Sequence, residues 1–310
     1  MNNMREGRSC PIDYRYSPQQ IAATKACLST EVLYVAGGLY GNPYALECLE
    51  SMVAEEADAQ LIFNGDFHWF DAETELFRCI NDRVAKYQAI SGNVEKELCR
   101  LDSVNVGCGC AYPERVEQAL VDRSNQIHRR LQSYLPKDEL LLDWLRNLPS
   151  FVVAEVAGRR VAVVHGDATS LAGWGFDAEG IDLPEQQALI QGWLTEAEVD
   201  AFASSHTCQA VCRQFPSGVV INNGAAGMPN FNDGCYGIVT RIAQTAGHRK
   251  PLYSTTYQGL VYEALPLFYD QDAWTTLFLS LWPAGSDAWI SYWERIAQGS
   301  KKTLDDLISV

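Results

Sequence analysis

The stretch Leu61-Ile62-Phe63-Asn64-Gly65-Asp66-Phe67-His68-Trp69-Phe70 indicates the fold of this chain more directly than any other segment. Its apolar start is typical of a buried strand. Gly65 then breaks the strand and places Asp66 just beyond the strand end. Ligands of open α/β sheets bind in the crevice outside the carboxyl ends of the strands. The Asp66 carboxylate is therefore a candidate metal ligand or proton acceptor.

The same arrangement of an apolar run, a turn and polar groups recurs in four other stretches. They are residues 32–42, 87–95, 161–167 and 201–208. Their polar ends read Gly-Gly-Leu-Tyr-Gly-Asn, Ser-Gly-Asn-Val-Glu, His-Gly-Asp and Ser-His-Thr-Cys. Because strand ends of this kind border one crevice, the five ends together predict a single convergent site.

Composition and charge limit the classes of function. A chain of 310 residues can bury a large core, and one domain with extensions is expected. The net charge of −15 disfavours a broad nucleic-acid surface or an anionic-membrane surface, since either would need a basic footprint. No signal-peptide pattern and no apolar run near the ~20 residues of a membrane span is visible, so a cytoplasmic location without membrane attachment is expected.

The ten cysteines do not form a recognisable metal motif. Most fit helical patterns and are expected to be small buried hydrophobes. Two local pairs differ from the rest, Cys108 with Cys110 and Cys208 with Cys212. Neither pair has the Cys-x-x-Cys spacing of common zinc sites, so a four-cysteine zinc site is the weaker alternative.

The order of the patterns predicts three parts. Residues 1–30 are an arm and a helix, residues 31–265 are the main α/β domain with an insertion at about 96–150, and residues 266–310 are a helical extension. Strand–helix units come first and hairpins later, which predicts a mixed sheet or two packed sheets between helices. Predicted helices cover residues 19–28, 113–135, 137–148 and about 195–201, and two more begin at Asn42-Pro43 and after Asp71.

The C-terminal extension carries half of the eight tryptophans. Amphipathic helices usually bury their apolar stripe within their own domain, so docking on the core is favoured. A homodimer through these helices is the alternative, because exposed aromatic faces mark interfaces.

The order and spacing of the five polar ends resemble the calcineurin-like metallophosphoesterases. That family carries Asp-x-His, Gly-Asp, Gly-Asn-His-Asp/Glu, a His before Gly, and Gly-His-Thr-His. The resemblance runs from about residue 32 to residue 242. It implies a four-layered α/β/β/α sandwich with mixed sheets and a two-metal site at the strand ends.

The chain departs from this family at the first metal site. Residues 38–40 read Gly-Leu-Tyr where the family has Asp-x-His, and Cys208 replaces the last His. Val94 replaces the His that acts as the family's catalytic acid. The first site keeps only the shared Asp66 and the Cys208 thiolate, which are too few ligands for an ordinary hard-metal site.

The second metal site is intact by resemblance. Its ligands fall on Asp66, Asn93, His165 and His206. The resemblance implies one divalent ion there, Mn(II), Fe(II) or Zn(II), or a hydrogen-bond network that imitates the ion. One ion can polarise a phosphoryl oxygen, but it cannot clamp both the attacking and the leaving oxygen as two metals do.

Four other side chains are candidates for the same site. Glu95 could be a general acid if burial raised its pKa. Tyr40 could hydrogen-bond a phosphate through its hydroxyl, and His68 could approach the first site. Asn42 begins a helix whose free N–H groups would face the crevice, as in anion sites. Each has a structural reading as well, such as a cap, a turn residue or a buried histidine.

The leading hypothesis is a phosphoesterase with a degenerate, one-ion active site that acts on a small phosphorylated substrate. A second hypothesis is an inactive protein of the same fold that binds a phosphorylated ligand or a partner, which the missing imidazole at Val94 favours. A third is a redox or soft-metal site that recruits Cys208 together with Cys108 and Cys110. The one-sided retention of metal ligands favours the first hypothesis.

Overall fold

The computed structural model describes residues 5–101 and 106–307, which form a sandwich of two six-stranded sheets between helices. The strands are β1 (Leu28–Thr30), β2 (Val32–Ala36), β3 (Ala59–Asn64), β4 (Gln88–Ile90), β5 (Phe151–Val156), β6 (Arg159–Val164), β7 (Ala201–Ser204), β8 (Ala210–Phe215), β9 (Gly218–Asn223), β10 (Gly237–Ala243), β11 (Tyr253–Tyr257) and β12 (Leu260–Leu267). The helices are α1 (Pro18–Ala23), α2 (Pro43–Ala54), α3 (Thr74–Val84), α4 (Asn93–Leu98), α5 (Gln118–Ser133), α6 (Glu139–Arg146), α7 (Pro184–Glu196), α8 (Gln271–Leu281), α9 (Asp287–Gln298) and α10 (Leu304–Leu307).

Both sheets are mixed, as expected. The first has the order β11-β12-β10-β2-β3-β4, and its strands β2, β3 and β4 are parallel. The second has the order β1-β5-β6-β7-β9-β8, and its strands β6, β7 and β9 are parallel. The β5–β6 hairpin turns at Gly158. The parallel strands of each sheet deliver the loops that carry the candidate ligands.

Alternation of side chains along the strands builds the layers. Leu33 of β2 and Val163 of β6 belong to the core between the sheets. Tyr34 of β2 lies in the core that includes residues of α2 and α3, while Ala162 of β6 lies in the core that includes residues of α1 and α7. The four-layered α/β/β/α class predicted from the resemblance is confirmed.

Several helix boundaries differ from the predictions. The helix predicted over 19–28 ends at Ala23, and residues 28–30 instead form strand β1 beside β5. The insertion helices are shorter than predicted and begin at Gln118 and Glu139. The helix predicted near 195–201 is wrong, because α7 ends at Glu196 and β7 begins at Ala201.

The start of α3 was predicted two residues too early. Its N-cap is Glu73, whose carboxylate accepts from the backbone N–H groups of Glu75 and Leu76. Asp71 accepts instead from Trp69 N at 2.9 Å and bonds the ring of His68. An acid near a helix start can cap either the helix or the preceding turn, and sequence alone does not separate the two.

The C-terminal helices α8 and α9 dock on the core. Trp274 and Trp282 are buried, and Trp282 Nε1 donates to Phe70 O at 2.8 Å. The Arg130 guanidinium lies 4.4 Å from the centre of the Trp282 ring. A homodimer through these helices stays a prediction. Among the described residues, no helix is both long and apolar enough to cross a membrane.

Candidate metal-binding site

The candidate ligands sit just beyond the ends of strands from both sheets. Asp66 follows β3, His165 follows β6 and His206 follows β7, while Asn93 begins α4 after β4. The loops that carry Asp66 and Asn93 approach each other very closely. The φ of Gly65 is +73°. A Cβ added there would lie only 2.4 Å from the backbone nitrogen of Gly92, in the loop that carries Asn93, so glycine is required at this position.

Four potential metal-ligand atoms, one from each of these side chains, lie close together. His165 Nε2 lies 3.2 Å from Asn93 Oδ1, 3.4 Å from Asp66 Oδ2 and 3.2 Å from His206 Nδ1. All four residues are at most 5% exposed. The ligand atoms of Asp66, His165 and His206 lie within 4.8 Å of one another, which suits a divalent ion.

The outward-facing atoms of three ligands are held by backbone carbonyls. Carbonyl oxygens only accept, so the ring nitrogens that face them carry the protons. The partners are Asn64 O for His165 Nδ1 at 2.8 Å, Cys110 O for His206 Nε2 at 3.0 Å and Cys108 O for Asn93 Nδ2 at 2.8 Å.

When both imidazoles are neutral, the inward-facing atoms of all four side chains are therefore acceptors. Asp66 Oδ2, Asn93 Oδ1, His165 Nε2 and His206 Nδ1 point lone pairs at the same small volume. Buried acceptors need a donor or a cation. The donor set of one carboxylate, one amide and two imidazoles therefore fits a bound divalent cation.

The buried Asp66 carboxylate favours a positive charge at the centre of the group, which either a proton on His165 or a bound cation would supply. Although burial opposes its charged form, the Asp66 carboxylate raises the pKa of His165 above its usual value. In turn, although burial opposes ionisation, His165 lowers the pKa of Asp66. Burial and the neighbouring His165 lower the pKa of His206 to about 3, so this ring stays neutral and free to act as a ligand.

The loop of residues 107–111 supports the site, a role that was not predicted from the sequence. Its carbonyls orient His206 and Asn93, and partners of this kind set the tautomer and direction of metal ligands. Gly107 and Gly109 both have positive φ. The alternating pattern Gly-Cys-Gly-Cys is the signal that could have indicated such a turn. The cysteines serve here through their carbonyls.

At the expected position of the first metal, the structure has a tyrosine and a cysteine. Tyr40 Oη lies 2.6 Å from Cys208 Sγ. A Cβ added at Gly38 would lie 2.9 Å from ring carbons of Tyr40. The Tyr40 ring therefore fills the space beside Gly38, where the family has a carboxylate. The Cys208 thiol is not part of the Asp66, His165 and His206 group, and its predicted place as a ligand of the first metal stays a prediction.

Glu95 does not face the cavity. Its carboxylate accepts backbone N–H groups from Asp66 at 2.8 Å, Gly92 at 2.9 Å and His68 at 3.2 Å. Burial and the Asp66 charge raise its pKa, as a general acid would need. Because both oxygens are occupied by the loop that they hold together, this geometry argues against the predicted catalytic part for Glu95.

His68 and Asn42 are also structural in their contacts. His68 is fully buried, stacks on Phe77 with ring centres 3.6 Å apart and bonds Asp71. Asn42 caps α2 by accepting from Tyr44 N and Ala45 N, both at 3.1 Å. Neither residue lines the cavity described below, contrary to their prediction as substrate-binding residues.

A cavity of about 460 Å³ opens above the ligand group. Asp66, Asn93 and His206 lie on its lining, together with Tyr40 and Cys208. The C-terminal helix α9 adds Tyr292 to the wall. Sequence reasoning missed this contribution, because an aromatic residue of an amphipathic helix looks the same whether it faces the core or a cavity.

Solved structures of other proteins share the fold of this chain. A hypothetical protein from Pyrococcus horikoshii OT3 matches with a TM-score of 0.60 and 15% identity over 87% of this chain and 99% of that one. A metallophosphoesterase from Sphaerobacter thermophilus matches with a TM-score of 0.55 and 15% identity over 87% of this chain and all of the other. The chain thus has the metallophosphoesterase fold, which confirms the resemblance at that level. Its sequence matches no family model and no curated protein.

The 107–111 loop can be tested through Gly109. A Cβ at this residue would lie 2.2 Å from Tyr14 Oη, so Gly109→Ala is expected to displace the loop. Metal affinity should fall ~10–100-fold, as it does when partners of metal ligands are lost. Calorimetric titration with Mn(II) measures it. Gly158→Ala is the matched control, since Gly158 shares the positive φ but has open space around it. Equal affinity of both variants would show that the loop does not support the site.

Proposed function

We propose that the protein is a phosphoesterase that uses a single divalent ion held by Asp66, Asn93, His165 and His206. The observation that supports the proposal is the convergence of four ligand atoms beneath a cavity that Asp66, Asn93 and His206 line. When bound, such an ion supplies Lewis acidity that polarises a phosphoryl oxygen and activates water. The metallophosphoesterase fold supports the same reaction class.

Tyr40 is the residue of this chain that could stabilise phosphoryl charge in place of the first metal ion of the family. Burial, followed by the charges of Cys208 and Asp66, raises its pKa well above the usual value, so the phenol keeps its proton. A protonated hydroxyl in a buried site can donate a hydrogen bond to a phosphoryl oxygen as its negative charge develops. Tyr40 would thus stabilise charge without a second metal.

Val94 limits the leaving groups that this site can expel. It lines the cavity and replaces the family's catalytic acid, yet its side chain has no proton to give. Substrates whose leaving group needs no protonation, such as p-nitrophenyl esters, are therefore expected to turn over faster than alkyl esters.

Metal content and turnover together test the proposal. The purified protein is analysed for bound metal by mass spectrometry, before and after chelation and reloading with Mn(II), Fe(II) or Zn(II). Turnover of p-nitrophenyl phosphate and bis-p-nitrophenyl phosphate is measured in parallel. One ion per chain with metal-dependent turnover supports the proposal, whereas a metal-loaded protein that turns over neither ester would overturn it.

A binding protein without turnover is the second candidate. Val94 and the engaged carboxylate of Glu95 favour it, because both positions lack a proton donor that faces the cavity. Tight binding of inorganic phosphate to metal-loaded protein, combined with absence of turnover on both esters, would support this candidate instead.

Rebuilding the first metal site gives a further test. Gly38→Asp alone is expected to destabilise the protein, because its Cβ meets the Tyr40 ring. The double change Gly38→Asp with Tyr40→His removes that ring and restores two family ligands. We expect it to bind a second Mn(II), weakly because Cys208 remains. Mass spectrometry counts the ions, and unchanged stoichiometry in a folded double variant would show that the crevice has been reshaped.

A further inference from the structure

One wall of the cavity is aromatic and begins beside a ligand. The Trp174 ring lies 5.4 Å, centre to centre, from the ring of His206 and 5.9 Å from the ring of Tyr112. Trp174 and Tyr112 both line the cavity and are partly exposed. A flat group attached to a phosphate at the ligand group would therefore meet these rings.

The aromatic wall is held in place before any ligand binds. Trp174 Nε1 donates to Cys110 O at 3.1 Å, the carbonyl that also accepts from His206. The Tyr112 hydroxyl lies 3.1 Å from Ser124 Oγ. The Arg115 guanidinium lies 5.4 Å from the Trp174 ring centre. Rigid aromatic faces of this kind stack on planar rings at little entropic cost.

Two buried acceptors on the lining lack partners. Asp177 Oδ1 and Gln209 Oε1 have no hydrogen-bond partner among the residues that the structure describes. The other oxygen of Asp177 accepts from Arg115 at 2.6 Å. Both atoms are buried, so they would accept from a ligand only after their side chains turn towards the cavity. Because buried acceptors without a donor are unfavourable, the N–H groups of a ligand would favour that turn.

The charge of the lining argues against a highly anionic ligand. Its acids are Asp66, Asp177 and Glu179, and its one arginine, Arg115, is already paired with the last two. A quaternary ammonium ion would also suit aromatic faces. However, Arg115 already supplies a cation at Trp174, and such an ion has no N–H group for the free acceptors.

We propose that the cavity binds the alcohol part of the phosphoester substrate and that this part is a nucleoside. Its base would stack on Trp174 and Tyr112 and donate N–H groups to Asp177 and Gln209. That this nucleoside is part of a phosphoester substrate rests on the proposed function. Base binding itself needs neither the metal nor the phosphate.

Nucleosides without phosphate test the assignment on metal-free protein. Guanosine and cytidine are titrated by calorimetry, with ribose and choline as comparisons. We expect the nucleosides to bind and ribose and choline not to. Trp174→Ala should weaken nucleoside binding about 10-fold or more, in line with the loss of one stacked base. Trp289→Ala is the control, since Trp289 lies on α9 but not on the cavity lining.

A second variant tests the assignment independently in case Trp174→Ala does not fold. Gln209→Met keeps the size of the side chain and removes one acceptor, so it should weaken nucleoside binding while the thermal unfolding curve stays unchanged. Nucleoside binding without ester turnover would support the cavity assignment and remove the proposed catalysis. Absence of nucleoside binding, or binding of choline that depends on Trp174, would overturn the assignment whatever the turnover shows.

Discussion

Replacing His165 by alanine is expected to abolish stoichiometric metal binding and, with it, metal-dependent turnover. His165 Nε2 is the atom from which Asn93 Oδ1, Asp66 Oδ2 and His206 Nδ1 all lie within 3.4 Å. Loss of a partner of a metal ligand costs ~10–100-fold in affinity, so loss of the ligand itself should cost more than about 100-fold. Mn(II) titration by calorimetry and metal analysis measure the effect.

His248→Ala is the matched control for this change. His248 is exposed and pairs with Glu55 at 3.2 Å, far in sequence from every ligand. His165→Ala also leaves Asp66 without its buried partner, and such losses cost about 3–5 kcal/mol. His165→Gln, which keeps a polar side chain, is therefore measured beside it. One full equivalent of metal in either folded His165 variant would contradict the proposed ligand set.

The change Tyr40→Phe should lower kcat on the order of 10²-fold, as the loss of one oxyanion donor does. The phenol is buried, keeps its proton and lies 2.6 Å from Cys208 Sγ at the place of the first metal. Metal affinity should not change, because the hydroxyl is not part of the ligand group. Steady-state kinetics with bis-p-nitrophenyl phosphate measure kcat and KM separately.

Tyr257→Phe controls for removal of a tyrosine hydroxyl elsewhere. The Tyr257 hydroxyl donates to Pro216 O at 3.2 Å, and the residue does not line the cavity. Equal kcat for Tyr40→Phe and the native protein would mean that Tyr40 only fills space left by the first metal. The lone ion would then act without help from this position.

Local patterns in the sequence were sufficient for the mixed α/β class and for the place of four candidate residues at strand ends. An apolar run that ends at a glycine or polar turn indicates a strand end wherever it occurs, because side-chain alternation and turn chemistry act over a few residues. Asp66, Asn93, His165 and His206 could therefore be placed at strand ends. The shared crevice was expected from the strand ends and the resemblance supplied the ligand set, and the structure bears out the convergence of the four residues.

Contacts between distant segments decided what the sequence could not. Glu95 looked like an acid for catalysis, but backbone N–H groups of Asp66 and His68, from another loop, occupy its carboxylate. Tyr40 and Cys208, 168 positions apart in sequence, form a pair at the first metal position. No local pattern records which side chain will meet which.

The sequence by itself thus determined the mixed α/β class and the candidate residues at the strand ends, which follow from short-range periodicity, while the resemblance implied the layered sandwich and the second-site ligands. Only the tertiary structure decided that the loop of residues 107–111 orients two ligands, that Tyr292 of a docked helix lines the cavity and that Trp174 stands beside His206. The physical reason is that orientation and burial of a polar or aromatic side chain depend on neighbours brought together by packing. Spacing along the chain carries no information about those neighbours.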